Sequence, residues 1–166
     1  MTPCLEAVQG DITAETVDAI VNAANSSLAR GGGVCGAIFQ GAGPALDDAC
    51  RAIGSCETGD AKATPAFGLP TGHVIHAVGP MWNGGDAGEP DLLAAAYRRS
   101  LEVADEIEAR SVAFPAISTG IYGYPLDDAT EIAVRAVRAA DTKVELVRFV
   151  CFDSKTLAAY RRVLDS

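Results

Sequence analysis

The chain has 166 residues, about half of them apolar, enough for one folded domain with a sizeable core. Its net charge of −9 argues against a broad nucleic-acid footprint but leaves room for a nucleotide, because backbone N–H groups alone can hold one or two phosphates. No apolar stretch reaches membrane-span length, no leader-like segment opens the chain, and the five cysteines lack CxxC spacing, so free thiols in a reducing cytoplasm are expected.

In chain order, Leu5–Gln9 reads as a first strand ending at Gly10-Asp11-Ile12-Thr13, where Asp11 either caps a turn or meets a ligand. Val17–Asn22 is a β-branched buried strand. The polar stretch Asn22-Ala23-Ala24-Asn25-Ser26-Ser27 and the triplet Gly31-Gly32-Gly33 follow it. Helices are then expected over Gly36–Ala42 and Ala45–Ile53, broken at Gly43-Pro44. Strand, glycine loop and helix start make an anion site, since glycine admits close backbone approach and the first helical N–H groups lack internal partners.

Ala61–Phe67 reads as a strand, with Pro65 marking an edge or bulge, and His73–Val78 as central sheet. Trp82–Pro90 is a loop whose acidic groups are expected in solvent, and Asp91–Arg110 is a helix on the 3.6-residue period. Ser111–Pro115 is another buried strand, followed by the loop Ala116–Tyr124 and a helical run that begins at Pro125, a residue suited to a first turn. The helical pattern continues over Asp127–Ala140. Leu146–Phe152 is a strand and Ser154–Leu164 a closing helix. Alternation of strands and helices predicts an α/β fold with a mostly parallel sheet covered on both faces, in a single domain over residues 1–166. Two loops at the carboxyl ends of neighbouring strands then face each other as jaws for a diphosphate.

Gly31, Gly33 and Gly36 satisfy G-x-G-x-x-G literally, but Asn22–Arg30 separates them from the strand and nothing firm supplies a ribose-binding carboxylate about 20 residues on, which argues against the dinucleotide fingerprint. His73 and His76, three apart on a strand, fall on opposite faces, and no acidic or thiol cluster completes a metal shell around them. No metal or other cofactor is expected. Ser118 lacks the G-x-S-x-G frame of a nucleophile and reads as a loop hydroxyl. Phe152 ends a strand on the ligand edge, where it is either core or a platform for a base.

The segments Gly10–Thr13, Asn22–Leu28, Gly31–Ile38, Gly59-Asp60-Ala61, His73–Pro80 and Phe114–Pro125 together resemble the macrodomain family, in particular its MacroD-type branch, over essentially the whole chain. The resemblance implies a three-layer α/β/α domain with a mixed, mostly parallel sheet of six or seven strands. It implies a cleft for ADP-ribose, free or carried on a modified protein. It also implies hydrolysis: release of mono-ADP-ribose from acidic side chains, or deacetylation of O-acetyl-ADP-ribose. By position, Asp11 and Ile12 read adenine and Phe152 stacks on it. Asn22, Gly32, Gly33, Val34, Gly36 and Ala37, with Ser118, Thr119, Gly120, Ile121 and Tyr122, bind substrate around the diphosphate, and Tyr122 walls in the distal ribose. Asn25 and Cys35 stand at the catalytic positions.

Active members of that branch carry Asp where this chain has Cys35, and often His where it has Phe39. An ordinary thiol is a poor base at neutral pH. The expected enzyme is therefore a hydrolase in which substrate phosphate orients the water, acting as a monomer. The alternative is a non-catalytic ADP-ribose reader. A third reading makes Cys35 a reactive redox thiol, against the plainer one of a small buried hydrophobe.

Overall fold

The computed structural model describes residues 2–166. Six strands, β1 (Cys4–Gln9), β2 (Ala19–Ala24), β3 (Ala61–Pro65), β4 (His73–Val78), β5 (Ser111–Phe114) and β6 (Leu146–Cys151), form one sheet in the order β1-β6-β5-β2-β4-β3. All neighbours are parallel except β3, which runs antiparallel to β4 at the edge. Pro65 closes that edge strand, where a missing N–H costs the ladder nothing.

Helices α1 (Gly33–Ala42) and α2 (Pro44–Ile53) cover one face, and α3 (Glu89–Glu106), α4 (Leu126–Ala139) and α5 (Ser154–Leu164) cover the other. The period-2 alternation of β2 feeds both layers: Ala19 and Val21 join the core under α3–α5, whereas Ile20 and Ala24 join Ile38, Phe39 and Leu46 under α1 and α2. This is the three-layer α/β/α arrangement with a six-stranded mixed sheet.

Several boundaries differ from the sequence reading. β2 runs two residues further than its β-branched stretch, to Ala24, so Asn22 lies inside the sheet, in register with His76 of β4. α1 begins at Gly33, three residues before Gly36, because the bond from Gly36 N–H to Gly32 O already closes a helical turn. α3 stops at Glu106 rather than Arg110: Glu108 takes φ +61° and Ala109 N–H closes back on Ala104 O, an ending that glycine usually marks. Pro125 is the residue before α4, with extended ψ, rather than part of its first turn. The acids of the 82–90 loop are not all in solvent. Glu89 is 1 % exposed and accepts N–H bonds from Asn83, Gly85 and Ala87.

Candidate functional site

The strand order lines up the loops at the carboxyl edge of the sheet. Those after β1 and β6 lie at one end, those after β5 and β2 in the middle, and that after β4 beyond them. At the β1/β6 end, Gly10 N–H donates to Cys151 O and ties the two loops together. Asp11 Oδ1 accepts from Thr13 N (2.9 Å) and Thr13 Oγ1 (2.6 Å), and these bonds, side chain first, hold its carboxyl below the usual carboxylate range. Asp11 thus caps its turn, while its Oδ2 has no part in the cap. Ile12 is buried against the α1 layer. Asp153 caps α5 through Thr156 N, and the turn it makes leaves Phe152 83 % exposed on this edge.

The loop after β2, hereafter loop 1, is built around Asn25. Its Oδ1 accepts from Ala29 N (3.0 Å) and Ser27 Oγ (2.8 Å), and its Nδ2 donates to Ala29 O (2.9 Å). That leaves one amide hydrogen of Asn25 for a ligand. A Cβ on Gly31 would sit 3.5 Å from Cys35 Sγ and 3.6 Å from Asn25 Nδ2, so both predicted catalytic residues flank the same backbone point. Gly36 packs directly on the loop, where a Cβ would come within 2.7 Å of Gly31 O. Gly32, Gly33 and Ala37 are exposed, and Val34 is half-buried. Among the described residues no side chain caps α1, so its first N–H groups point out of the helix start.

Beneath this loop runs a buried polar chain that the sequence reading did not foresee. Asn22 and His76 are fully buried. Asn22 Nδ2 donates to His76 Nδ1 (3.1 Å) and to Cys35 Sγ (3.6 Å). His76 Nδ1 must therefore be the unprotonated nitrogen, and Nε2–H faces Thr64 Oγ1 at 3.0 Å. Burial pushes the imidazole down to about 4, which keeps it neutral. The Cys35 thiol in turn donates to Ala29 O (3.8 Å). Asn22 thus lies below the cleft floor and supports Cys35.

Loop 2, after β5, spends its carbonyls on itself. Thr119 N and Oγ1 donate to Ala116 O, Gly123 N to Gly120 O, and Tyr124 N to Ser118 O. Among the described residues, nothing accepts from the N–H groups of Gly120, Ile121 and Tyr122. Ser118 takes φ +69°, and its hydroxyl is buried against Gly79, where a Cβ would stand 2.2 Å from it. Ser118 therefore offers a ligand its backbone, not its hydroxyl. Ile121, 84 % exposed, reaches across the cleft to within 3.6 Å of the Cβ position of Gly32, so the two loops face each other. Two rows of unspent N–H groups across one groove are what an anion requires.

The model of the Macro domain family matches residues 21–133. The chain is 54% identical over 171 residues to the O-acetyl-ADP-ribose deacetylase of Salmonella typhimurium, covering 99% of this chain and 96% of that protein. It is 53% identical over 163 residues to a macro domain-containing protein of Chlorobaculum tepidum, covering 96% and 95%. Among solved structures it resembles an Oceanobacillus iheyensis macrodomain variant with ADP-ribose (TM-score 0.91, 41% identity, 97% of this chain and 91% of that one). It also resembles the Trypanosoma brucei macrodomain in complex with ADP-ribose (TM-score 0.90, 36% identity, 96% and 68%). This chain belongs to the macro domain family. Solved variants of the Oceanobacillus protein replace an asparagine, a glycine and an aspartate whose mutual spacing is that of Asn25, Gly32 and Cys35.

The residues missed from sequence all act from behind. His76 and Thr64 back Asn22, Gly79 admits Ser118, and Trp82 and Glu89 brace loop 2. A glycine right after a central strand marks Gly79, and an acid beside Pro90 at a helix start marks Glu89. The pairing of Asn22 with His76 depends on strand register, which leaves no local mark.

Proposed function

We propose that this chain binds ADP-ribose along the groove and hydrolyses ester bonds to its distal ribose. The substrates are O-acetyl-ADP-ribose and mono-ADP-ribose on acidic side chains of proteins. The observation that carries this reading is the pair of facing N–H rows, Gly32–Cys35 and Gly120–Tyr122, with Asn25 and Cys35 meeting beside Gly31. Fixed N–H dipoles meet diphosphate charge without reorganising. The names of the Salmonella relative and of the ligand-bound neighbours support the same substrate class.

Each residue then has a defined task. The bonds to Ala29 fix the Asn25 amide, and its remaining hydrogen donates to a ribose hydroxyl oxygen near the scissile ester. The Cys35 thiol is spent on Ala29 O and receives an N–H from Asn22, so it shapes the floor and takes no proton from water. Water held by the bound diphosphate attacks the acyl carbon and expels the ribose hydroxyl. Phe152 supplies an open ring face for adenine, and the free oxygen of Asp11 accepts from its exocyclic amine.

The test is release of acetate from O-acetyl-ADP-ribose and of ADP-ribose from a glutamate-modified protein, with calorimetric binding on the same sample. Wild type turns over both substrates, and Asn25→Ala slows turnover about 100-fold. Tight binding with no turnover identifies a reader instead. Cys35→Asp places a carboxylate where Asn22 already donates. It changes the rate modestly if the wild type is a hydrolase, and creates activity from nothing if it is a reader.

A further inference from the structure

Loop 2 is braced from outside the groove. Trp82 N–H donates to Tyr122 O (2.9 Å), and the Trp82 ring packs on Tyr124 with centroids 4.6 Å apart. The far edge of that ring meets Gly85, whose Cβ, if present, would lie 2.9 Å from Trp82 Cη2. Trp82 is thus clamped between the end of loop 2 and the backbone of its own loop.

That clamp is closed by a single buried carboxylate. Glu89 Oε2 accepts from Asn83 N (2.7 Å) and Gly85 N (3.0 Å), and Oε1 accepts from Ala87 N (2.7 Å). Asn83 is the residue after Trp82, and Gly85 is the residue against its ring. Glu89 therefore holds both pieces of backbone that confine Trp82. Its own N–H and then those of Asn83, Gly85 and Ala87 keep the carboxyl low against the opposing effect of burial. A buried charge satisfied by three loop N–H groups has little freedom to shift without stranding them.

We propose that Glu89 is a positioning residue for the groove: through Trp82 it sets where the N–H groups of Gly120–Tyr122 stand opposite Gly32. The consequence for affinity rests on the ADP-ribose reading above, but the coupling from Glu89 to loop 2 does not. Trp82 is the sole tryptophan of the chain, so its emission reports on the clamp.

The experiment compares the wild type with Glu89→Gln, which keeps the shape and removes the charge. Gly85→Ala leaves the carboxylate in place but pushes on Trp82 and, at φ +93°, strains the turn whose N–H Glu89 accepts, and Val137→Ala trims the α4 core well away from the clamp. Amide exchange in ligand-free protein, tryptophan emission, ADP-ribose affinity and melting temperature are read on each. In Glu89→Gln and Gly85→Ala, emission moves to the red and exchange over 118–124 quickens about tenfold. ADP-ribose affinity falls about tenfold in both. Val137→Ala lowers the melting temperature and moves none of the other three. The proposal is overturned if Glu89→Gln, or Gly85→Ala should the former not fold, loses stability while residues 118–124 exchange as in wild type. If wild type itself fails to bind ADP-ribose, the functional reading falls, and the exchange data still decide the coupling.

Discussion

The two loops that face each other are held by opposite means. Loop 1 is fixed from within and from below, by the Asn25 bonds to Ala29 and by the buried line Thr64–His76–Asn22–Cys35. Loop 2 is fixed from the side, by Gly79, Trp82 and Tyr124, with Ser118 in a left-handed conformation. Buried hydrogen bonds tolerate little change of chemistry, whereas aromatic packing tolerates little change of shape. The loop with Asn25 and Cys35 thus depends on buried side-chain polar satisfaction beneath it, and its partner on fit against Trp82 and Gly79, with Glu89 holding the Trp82 side.

The effects that separate the two loops most directly come from glycine. Gly36→Ala and Gly79→Ala are each expected to cost about 2–3 kcal/mol in chemical denaturation. Gly36→Ala drives a methyl into the Gly31 carbonyl, and Gly79→Ala drives one into Ser118 and Ile117. If they differ only in which loop moves, amide exchange rises over 25–36 in the first and over 116–124 in the second. Equal loosening of both loops by either variant breaks the comparison.

Next comes pH, to which loop 1 is tied through His76. The imidazole titrates near 6.5 when unfolded and near 4 when folded, so the unfolded chain binds the extra proton. The stabilisation is complete above pH 6.5 and is lost as pH falls from 6.5 to 4, by about 3.5 kcal/mol at about 1.4 kcal/mol per factor of ten in proton affinity. Urea midpoints of wild type should fall across that window, while those of His76→Gln stay flatter. Parallel curves would remove His76 as the cause.

The smallest effect is a gain. Ser118→Gly relieves a positive φ and removes a buried hydroxyl without a partner, so it should raise stability by about 1 kcal/mol. A loss instead would show that Ser118 supports loop 2 through its side chain.

Much of this molecule is legible in order. Apolar β-branched runs locate Ile20–Val21, Val74–Ile75 and Val147–Val150 in strands, and the 3.6-residue period places Leu93, Tyr97 and Leu101 inside α3. The two glycine-bearing loops follow from those strands. The supports do not, for separate reasons. Ala23 and Ala24 carry no strand preference, so the depth of Asn22 is set by pairing with β4. Glu108 ends α3 in a conformation that glycine usually announces. Glu89 sits among loop residues that look solvated, and only the fold of 83–87 around it makes it a buried acceptor.

Phe152 directly follows β6, one strand in from the β1 edge, on the far side of β5 and β2 from the Trp82 clamp. In the proposed function, contact with the nucleobase and cleavage of the ester therefore fall to loops that follow different strands. If that function holds, a substitution at Phe152 changes residence time while turnover of bound substrate stays as in wild type.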